Sequence, residues 1–417
     1  MKSKLPKGWK QITVGDVAIH VTSGSRGWSH YEVKRGPRFY GVGDLPKEGI
    51  KINPTATRYV LPPTASGEGE RTKIRPGDIL VSITADLGRI GFIKKDHTEE
   101  GYVNQHLALL RLCSDTADPE FVAHVLSGME QRVRLLRLND SNAKSGLNLE
   151  TIRNFPFPLP PVPEQQRITA VLGAWDRSID QTGRLIVAKQ RRFNAARIRL
   201  IESFQSAGKG SNSWTPTEFG QITEELKQRN AAGHGPDRVM GVIKGEGLVP
   251  MRSHVMAADL RRYLVVPPQA IAYNPMRLNI GSIAASQYDE DVLVSPDYVV
   301  FRARKGRADP NFLRFLIGTK RWRDHLITVG SGSVRTRIYF DGLAEMVLRV
   351  PDVGEQKRIG QILTAMEEDL KTTIEAASAL RIQKRGLMQK LLTGEWRLDE
   401  RFDPSPAPRQ AHLGGVS

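Results

Sequence analysis

Phe155-Pro156-Phe157-Pro158-Leu159-Pro160-Pro161-Val162-Pro163-Glu164-Gln165-Gln166-Arg167-Ile168 closes one kind of chain and opens another. Its prolines set apolar residues in an extended path, since proline neither continues a helix nor donates to a ladder. From Glu164 to Phe204 no proline follows. Pro160, Glu164, Gln165, Arg167 and Ile168 recur as Pro351, Glu355, Gln356, Arg358 and Ile359, each displaced by 191 residues. At the same displacement Ala117-Asp118-Pro119 with Phe121 recurs as Ala308-Asp309-Pro310 with Phe312. Further upstream the register drifts: Trp9 and Gly15 match Trp214 and Gly220 at 205, and Gly41-Val42 matches Gly241-Val242 at 200. Drift of this kind marks loop insertions, so two halves share a scaffold and differ in decoration. The period is domain-sized, too long for a solenoid.

Within each half the texture changes once. Residues 1 to about 160 and about 207 to 350 are rich in Gly and Pro, with short apolar runs such as Ile79-Leu80-Val81, Ala108-Leu109-Leu110, Ala270-Ile271-Ala272 and Tyr298-Val299-Val300-Phe301. These read as strands between turns. A short helix is expected at each Asp-Pro, with Asp118 or Asp309 as N-cap and proline at the first helical position. Each globular unit is therefore mixed, and the fold class is α+β.

The proline-free segments Glu164–Phe204 and Glu355–Leu392 carry a heptad seam. The first runs through Ile168, Leu172, Trp175, Ile179, Thr182, Ile186, Lys189, Phe193, Ala196 and Leu200. The second runs through Ile359, Leu363, Met366, Leu370, Thr373, Ala377, Leu380, Lys384, Leu387 and Leu391. A 3.5-residue period over about five heptads is a coiled-coil signature, and helices ~60 Å long need a partner for such a seam. Packing against each other is the economical solution. Lys189 and Lys384 either fix the register or snorkel at a local splay.

Composition narrows the function. The chain has 417 residues, 61 Lys+Arg and 45 Asp+Glu, for a formal charge of +16. That length predicts roughly two to four domains. A pI of 9.9 makes a polyanion the leading partner, because neutralised phosphates release counterions. The single cysteine, Cys113, excludes a disulfide framework and a cysteine-based zinc cluster and fits a reducing cytoplasm. No stretch approaches the ~18 apolar residues of a membrane helix, and Met1 to Trp9 lacks the apolar core of a signal peptide, so a soluble cytoplasmic protein is expected.

Catalytic motifs are absent from the sequence. Pro351-Asp352 with Glu355-Gln356-Lys357 spells a nuclease-like metal site, but Glu355 falls in a helix's first turn and the other copy replaces Asp352 with Pro161 and Lys357 with Gln166. Capping explains it better. Tyr273-Asn274-Pro275-Met276 approaches an amino-methyltransferase motif without its second proline and aromatic, and reads as a turn. Neither a phosphate-binding Gly-Lys-Ser/Thr loop nor a His-Glu-x-x-His or Gly-x-Ser-x-Gly element occurs. The histidines lack ligand spacing, so no metal site is expected.

Basic residues interleaved with aromatics and amides are what the irregular segments offer. In the first unit these are Arg26, Trp28, His30, Lys34, Arg35 and Arg38, with Asn104 and Gln105, then Ser141, Asn142 and Lys144. In the second they are Arg252, Arg261 and Arg262, then Asn274, Arg277 and Asn279, then Ser333, Arg335 and Arg337. Arg and Lys read guanine edges, Asn and Gln read adenine edges, and Ser and Lys hold phosphates. The Ser333 loop occupies the slot of the Ser141 loop, just before the last strand.

Two unlike globular units, each followed by a proline-ended strand, Pro-Glu-Gln and a long helix, resemble the specificity subunit of type I restriction-modification enzymes. The resemblance runs from Pro6-Lys7-Gly8-Trp9 to Leu391-Leu392-Thr393-Gly394. It implies target recognition domains at 1–160 and 207–351, spacer helices at 161–206 and 352–397, and a flexible tail at 398–417. The helices would form an antiparallel coiled coil within an internal pseudo-twofold repeat. Each domain would read half of a bipartite double-stranded DNA target, and the helices would dock two methyltransferase subunits, with restriction-translocase subunits added. The chain itself would be non-catalytic and without cofactor; S-adenosylmethionine, ATP and Mg belong to those partners. The alternatives are a coiled-coil nucleic-acid scaffold outside restriction-modification, or a self-sufficient nuclease or methyltransferase with an unrecognised site.

Overall fold

The structure, a computed structural model, describes residues 5–24, 26–52, 58–62, 67–138, 146–205, 214–252, 256–330 and 337–402. The chain divides into two compact units, Met1–Gln181 with Ala377–Ser417, and Thr182–Ala376.

The first unit is closed by an antiparallel pair, Lys10–Thr13 against Pro156–Leu159, which joins the unit's beginning to its proline-rich end. Thr13 then donates from both N and Oγ1 to Asp16 Oδ2, at 2.7 and 2.8 Å, turning the chain into the short helix Val14–Val17. An antiparallel sheet follows, in the order Ala18–Ser23, Leu107–Leu112, Ile79–Ser82, Ile90–Phe92. A smaller sheet sets Glu32–Tyr40 between Tyr59–Val60 and Gly101–Val103.

The second unit repeats the scaffold. Thr215–Glu218 pairs with Val347–Val350, helix Phe219–Ile222 follows, and a sheet orders Thr223–Leu226, Val299–Ala303, Ile271–Tyr273, Ile283–Ala285. Its decoration differs: the hairpin Met240–Ile243/Gly247–Pro250 and the pair Leu264–Val266/Val292–Val294 replace the mixed smaller sheet. The Gly41/Gly241 match does not survive, since Gly41 precedes a 3-10 turn while Gly241 lies inside a strand.

A buried glutamine holds each scaffold together. Asp118 caps helix Pro119–Ser127 by accepting from Phe121 N at 2.9 Å, as Asp309 caps Pro310–Leu316 through Phe312 N at 3.0 Å. Gln165 Oε1 accepts the Asp118 N–H at 2.7 Å while its Nε2 donates to the Pro160 carbonyl at 2.8 Å. Gln356 does the same to Asp309 N at 3.0 Å and Pro351 O at 2.9 Å. One side chain thus ties strand end, capped helix and long helix, which explains why proline, glutamine and Asp-Pro recur in fixed register. The nuclease-like spelling resolves as a cap: Asp352 Oδ1 accepts the Glu355 N–H at 3.0 Å, and Glu355 pairs with Arg358 of its own helix.

The long helices span Val162–Arg197 and Val353–Leu392. Every seam position of both series is buried or half-buried. Within the first unit Asp176 meets Lys384 and Glu164 meets Arg397, so one chain's numbers fall as the other's rise and the paired segments run antiparallel. In the second unit Lys189 reaches Asp369 at 2.6 Å and Thr373 Oγ1 at 2.8 Å. The seam lysines are therefore paired, not splayed. The first helix departs from a straight seam at Ile198–Glu202, where a π turn inserts extra backbone and Ile201 becomes the fully buried residue while Leu200 is half-buried.

Lys384 is 7% exposed, so its partner matters. Asp176→Ala is expected to cost about 3 kcal/mol by leaving a buried ammonium uncompensated, whereas adding Lys384→Met should return most of that loss. Thermal unfolding of the single and double variants checks it: equal Tm values for the two would show that the pair does not matter.

Candidate nucleic-acid interface

In the first unit three chain reversals meet at one end of the main sheet. The strand Ala18–Ser23 runs into Gly24, where a Cβ would stand 2.1 Å from the backbone of Asn104, so only glycine permits this approach. Asn104 N donates to Tyr40 O at 3.0 Å, and Ile83 N to His106 O at 3.0 Å, bringing the Ile83–Arg89 reversal alongside. Leu147 N donates to Ile83 O at 2.9 Å, which places Leu147 beside the same reversals.

The sequence candidates separate by exposure. Arg26, His30 and Gln105 are exposed; Trp28, 2% exposed, is packed between Phe39 and Tyr102 and supports the small sheet from within. Asn104 is also buried, its Oδ1 accepting from His106 N at 3.0 Å. Val33 and Arg38 both pair with Tyr59, so Lys34 and Arg35 sit exposed on a bulge out of the ladder, a common way to re-aim side chains. Arg38 is half-buried and bound to Glu99 at 2.6 Å. Tyr102 donates to Glu100 at 2.8 Å; burial first, then this carboxylate, push its phenol up to about 12. Ser141, Asn142 and Lys144 lie outside the described residues, as do Ser333 and Arg335.

In the second unit the equivalent end is built from the turn Asn274–Gly281. Asn274 Oδ1 accepts from Met276 N at 3.0 Å, and Ile338 N donates to Pro275 O at 3.2 Å, seating exposed Arg337 beside exposed Arg277 and Asn279. Gly281, at φ +93°, lets the Lys244 side chain lie against the turn. Lys244 escaped the sequence reading because it arrives from a separate hairpin. Arg252, Arg261 and Arg262 are exposed but belong to the other end of that hairpin, ~10 Å of strand away. There Arg229 donates to the Arg262 carbonyl, and Arg261 pairs with Asp259, holding that carboxyl below its usual range chiefly through the side-chain hydrogen bond.

Among the described residues no group of three or more His, Cys, Asp or Glu side chains is placed to hold a metal, and no helix is long and apolar enough to cross a membrane. What both ends present is exposed basic and amide groups on reversals anchored by backbone hydrogen bonds.

Residues 6–188 match the family model for the type I restriction modification DNA specificity domain. The putative type I restriction enzyme MjaX specificity subunit of Methanocaldococcus jannaschii is 21% identical over 352 residues, covering 77% of this chain and 79% of its own. The type I restriction enzyme EcoBI specificity subunit of Escherichia coli is 29% identical over 139 residues, 33% of this chain and 27% of its own. The crystal structure of a type I restriction-modification system S subunit from M. genitalium superposes with a TM-score of 0.57 at 13% identity, covering 94% of this chain and 97% of that one. A chain from a structural study of complex assembly and conformational transition of the type I R-M system gives 0.53 at 16% identity, covering 94% and 100%. The fold is thus that of S subunits. Residues 6–188 thus resemble a type I restriction modification DNA specificity domain, and the chain as a whole is similar to type I specificity subunits.

Proposed function

We propose that the chain is the non-catalytic DNA reader of a type I restriction-modification system, each unit reading one half of a bipartite duplex target. The observation that carries this is the same glutamine lock in both units beneath unlike basic rims: Gln165 and Gln356 fix one scaffold twice, while Arg26 and Gln105 stand on one rim and Lys244, Arg277, Asn279 and Arg337 on the other. A common frame with differing contact groups is what two different half-sites require. The long helices join the reading units and offer docking surface for two methyltransferase subunits, to which restriction subunits add; S-adenosylmethionine, ATP and Mg act there.

Arg277→Ala with Arg337→Ala is expected to relax recognition in one half-site only. The loss is ~1–3 kcal/mol if either residue makes a bidentate base contact, and a flatter salt dependence without change of preference if both touch phosphate. Mapping methylated adenines with the assembled methyltransferase measures it. Equal loss in both half-sites would sink the assignment of one half-site to each unit.

A further inference from the structure

We propose that Gln105 reads an adenine in the half-site of the first unit, and that Thr84 and His106 are the positioning residues that make it an adenine reader. The proposal rests on the DNA-reading function above and deepens it to one side chain. Gln105 is the exposed member of the Asn104–His106 reversal; Asn104 is buried and His106 half-buried. Thr84 Oγ1 lies 2.6 Å from His106 Nδ1, and His106 Nε2 lies 3.3 Å from Gln105 Nε2.

The chemistry of these atoms fixes the direction of the relay. An amide NH2 only donates, so His106 Nε2 accepts from Gln105; a neutral imidazole then carries its hydrogen on Nδ1 and donates it to Thr84 Oγ1. Gln105 is left with Oε1 and one Nε2 hydrogen for an outside partner. That acceptor beside a donor is the complement of adenine N6–H and N7 in the major groove. With the opposite imidazole tautomer the amide would turn over, commit its oxygen to His106 and show only NH2, which suits an acceptor edge. A hydroxyl can accept or donate, so Thr84 does not choose the tautomer; by bonding Nδ1 it holds the ring where Nε2 meets the Gln105 amide, and acts on base choice through that placement without touching the base.

Two backbone features hold the relay in place. His106 N donates to Asn104 Oδ1 at 3.0 Å and its carbonyl accepts from Ile83 N, so the ring's backbone is pinned on both sides. Ala85, next to Thr84, sits at φ +62°, a left-handed conformation that non-glycine residues rarely take, and such strain gathers where a turn is held for a purpose.

The test uses the full chain assembled with its methyltransferase on a duplex library randomised at every half-site position. The half-site spared by the Arg277/Arg337 variant belongs to the first unit. Gln105→Ala should lower discrimination for adenine at one position there by roughly tenfold to a hundredfold, and Gln105→Glu should move preference at that position toward cytosine, whose N4 amino group donates. Thr84→Val should weaken adenine preference without altering the other positions or the salt slope, and Thr84→Ser should restore it. Undiminished recognition at the other positions of the first unit's half-site certifies that each variant is folded there; should Thr84→Val fail that check, the exposed Gln105 variants decide alone. A wild-type complex that reads no bipartite site overturns the proposed function. A wild-type complex that reads one while the Gln105 variants keep every base preference overturns this inference and leaves the function standing.

Discussion

Replacing Gln165 with leucine is expected to destabilise the first unit by about 3–5 kcal/mol, the largest effect of any single polar substitution outside the rims. Gln165 is fully buried, accepts from Asp118 N and donates to Pro160 O. Leucine keeps the bulk and removes both partners, leaving a buried N–H and a buried C=O unsatisfied at ~1–3 kcal/mol each. The same change at Gln356 should act on the second unit alone, where Asp309 N and Pro351 O depend on it. Hydrogen exchange reads the two separately: in Gln165→Leu the Asp118 amide should exchange at least a hundredfold faster while the Asp309 amide is unchanged. Matched acceleration at both would mean that the two locks are not independent, and no acceleration would mean that water replaces the glutamine at little cost.

The second large effect is one of pH. His124, in helix Pro119–Ser127, is fully buried and neither ring nitrogen has a hydrogen-bond partner among the described residues. Burial, with a smaller push from the Lys384 ammonium, lowers its pKa to about 3 from an ordinary 6.5. The unfolded chain thus binds a proton below pH 6.5 that the folded chain refuses, so stability falls as pH drops from 6.5 toward 3 and levels off beneath. At ~1.4 kcal/mol per unit, the cost reaches about 3 kcal/mol two units below the unfolded pKa. The residue at the matching place in the second unit is Phe315, itself buried. His124→Phe is expected to raise Tm at neutral pH, by ridding the core of two unsatisfied nitrogens, and to widen its lead over wild type steadily on acidification. A lead that stays constant between pH 7 and 4.5 would show that this histidine is solvated or paired.

The seam and the repeat were legible because both are one-dimensional. A 3.5-residue period needs only local helix geometry, and the recurrence of Pro160, Glu164 and Gln165 as Pro351, Glu355 and Gln356 needs only counting. The Asp-Pro caps follow the same logic, since capping acts within four residues. The helices after them, Met129–Arg137 and Lys320–Gly330, and the short ones at Leu149–Arg153 and Phe340–Ala344, were not marked out, because their apolar spacing is brief and none opens on proline, although Asn148 caps Thr151 N and Thr319 caps Trp322 N. The π turn at Ile198–Glu202 was likewise invisible to a strict period.

The rims show the other boundary. Composition marked Arg26, Trp28, Asn104 and Gln105 alike, yet the fold turns Trp28 and Asn104 inward and Gln105 outward. It also brings Thr84 to His106 across 22 residues and Lys244 to the Gly281 turn from another hairpin. The sequence by itself determined the α+β class, the duplicated scaffold, the antiparallel-ready helices and the basic character of the surface, since periodicity, repetition and charge are properties of neighbouring residues along the chain. Tertiary structure alone decided which side chains face solvent together, because that depends on strand order and loop closure, where residues far apart in number are set side by side by backbone hydrogen bonds that no local pattern encodes.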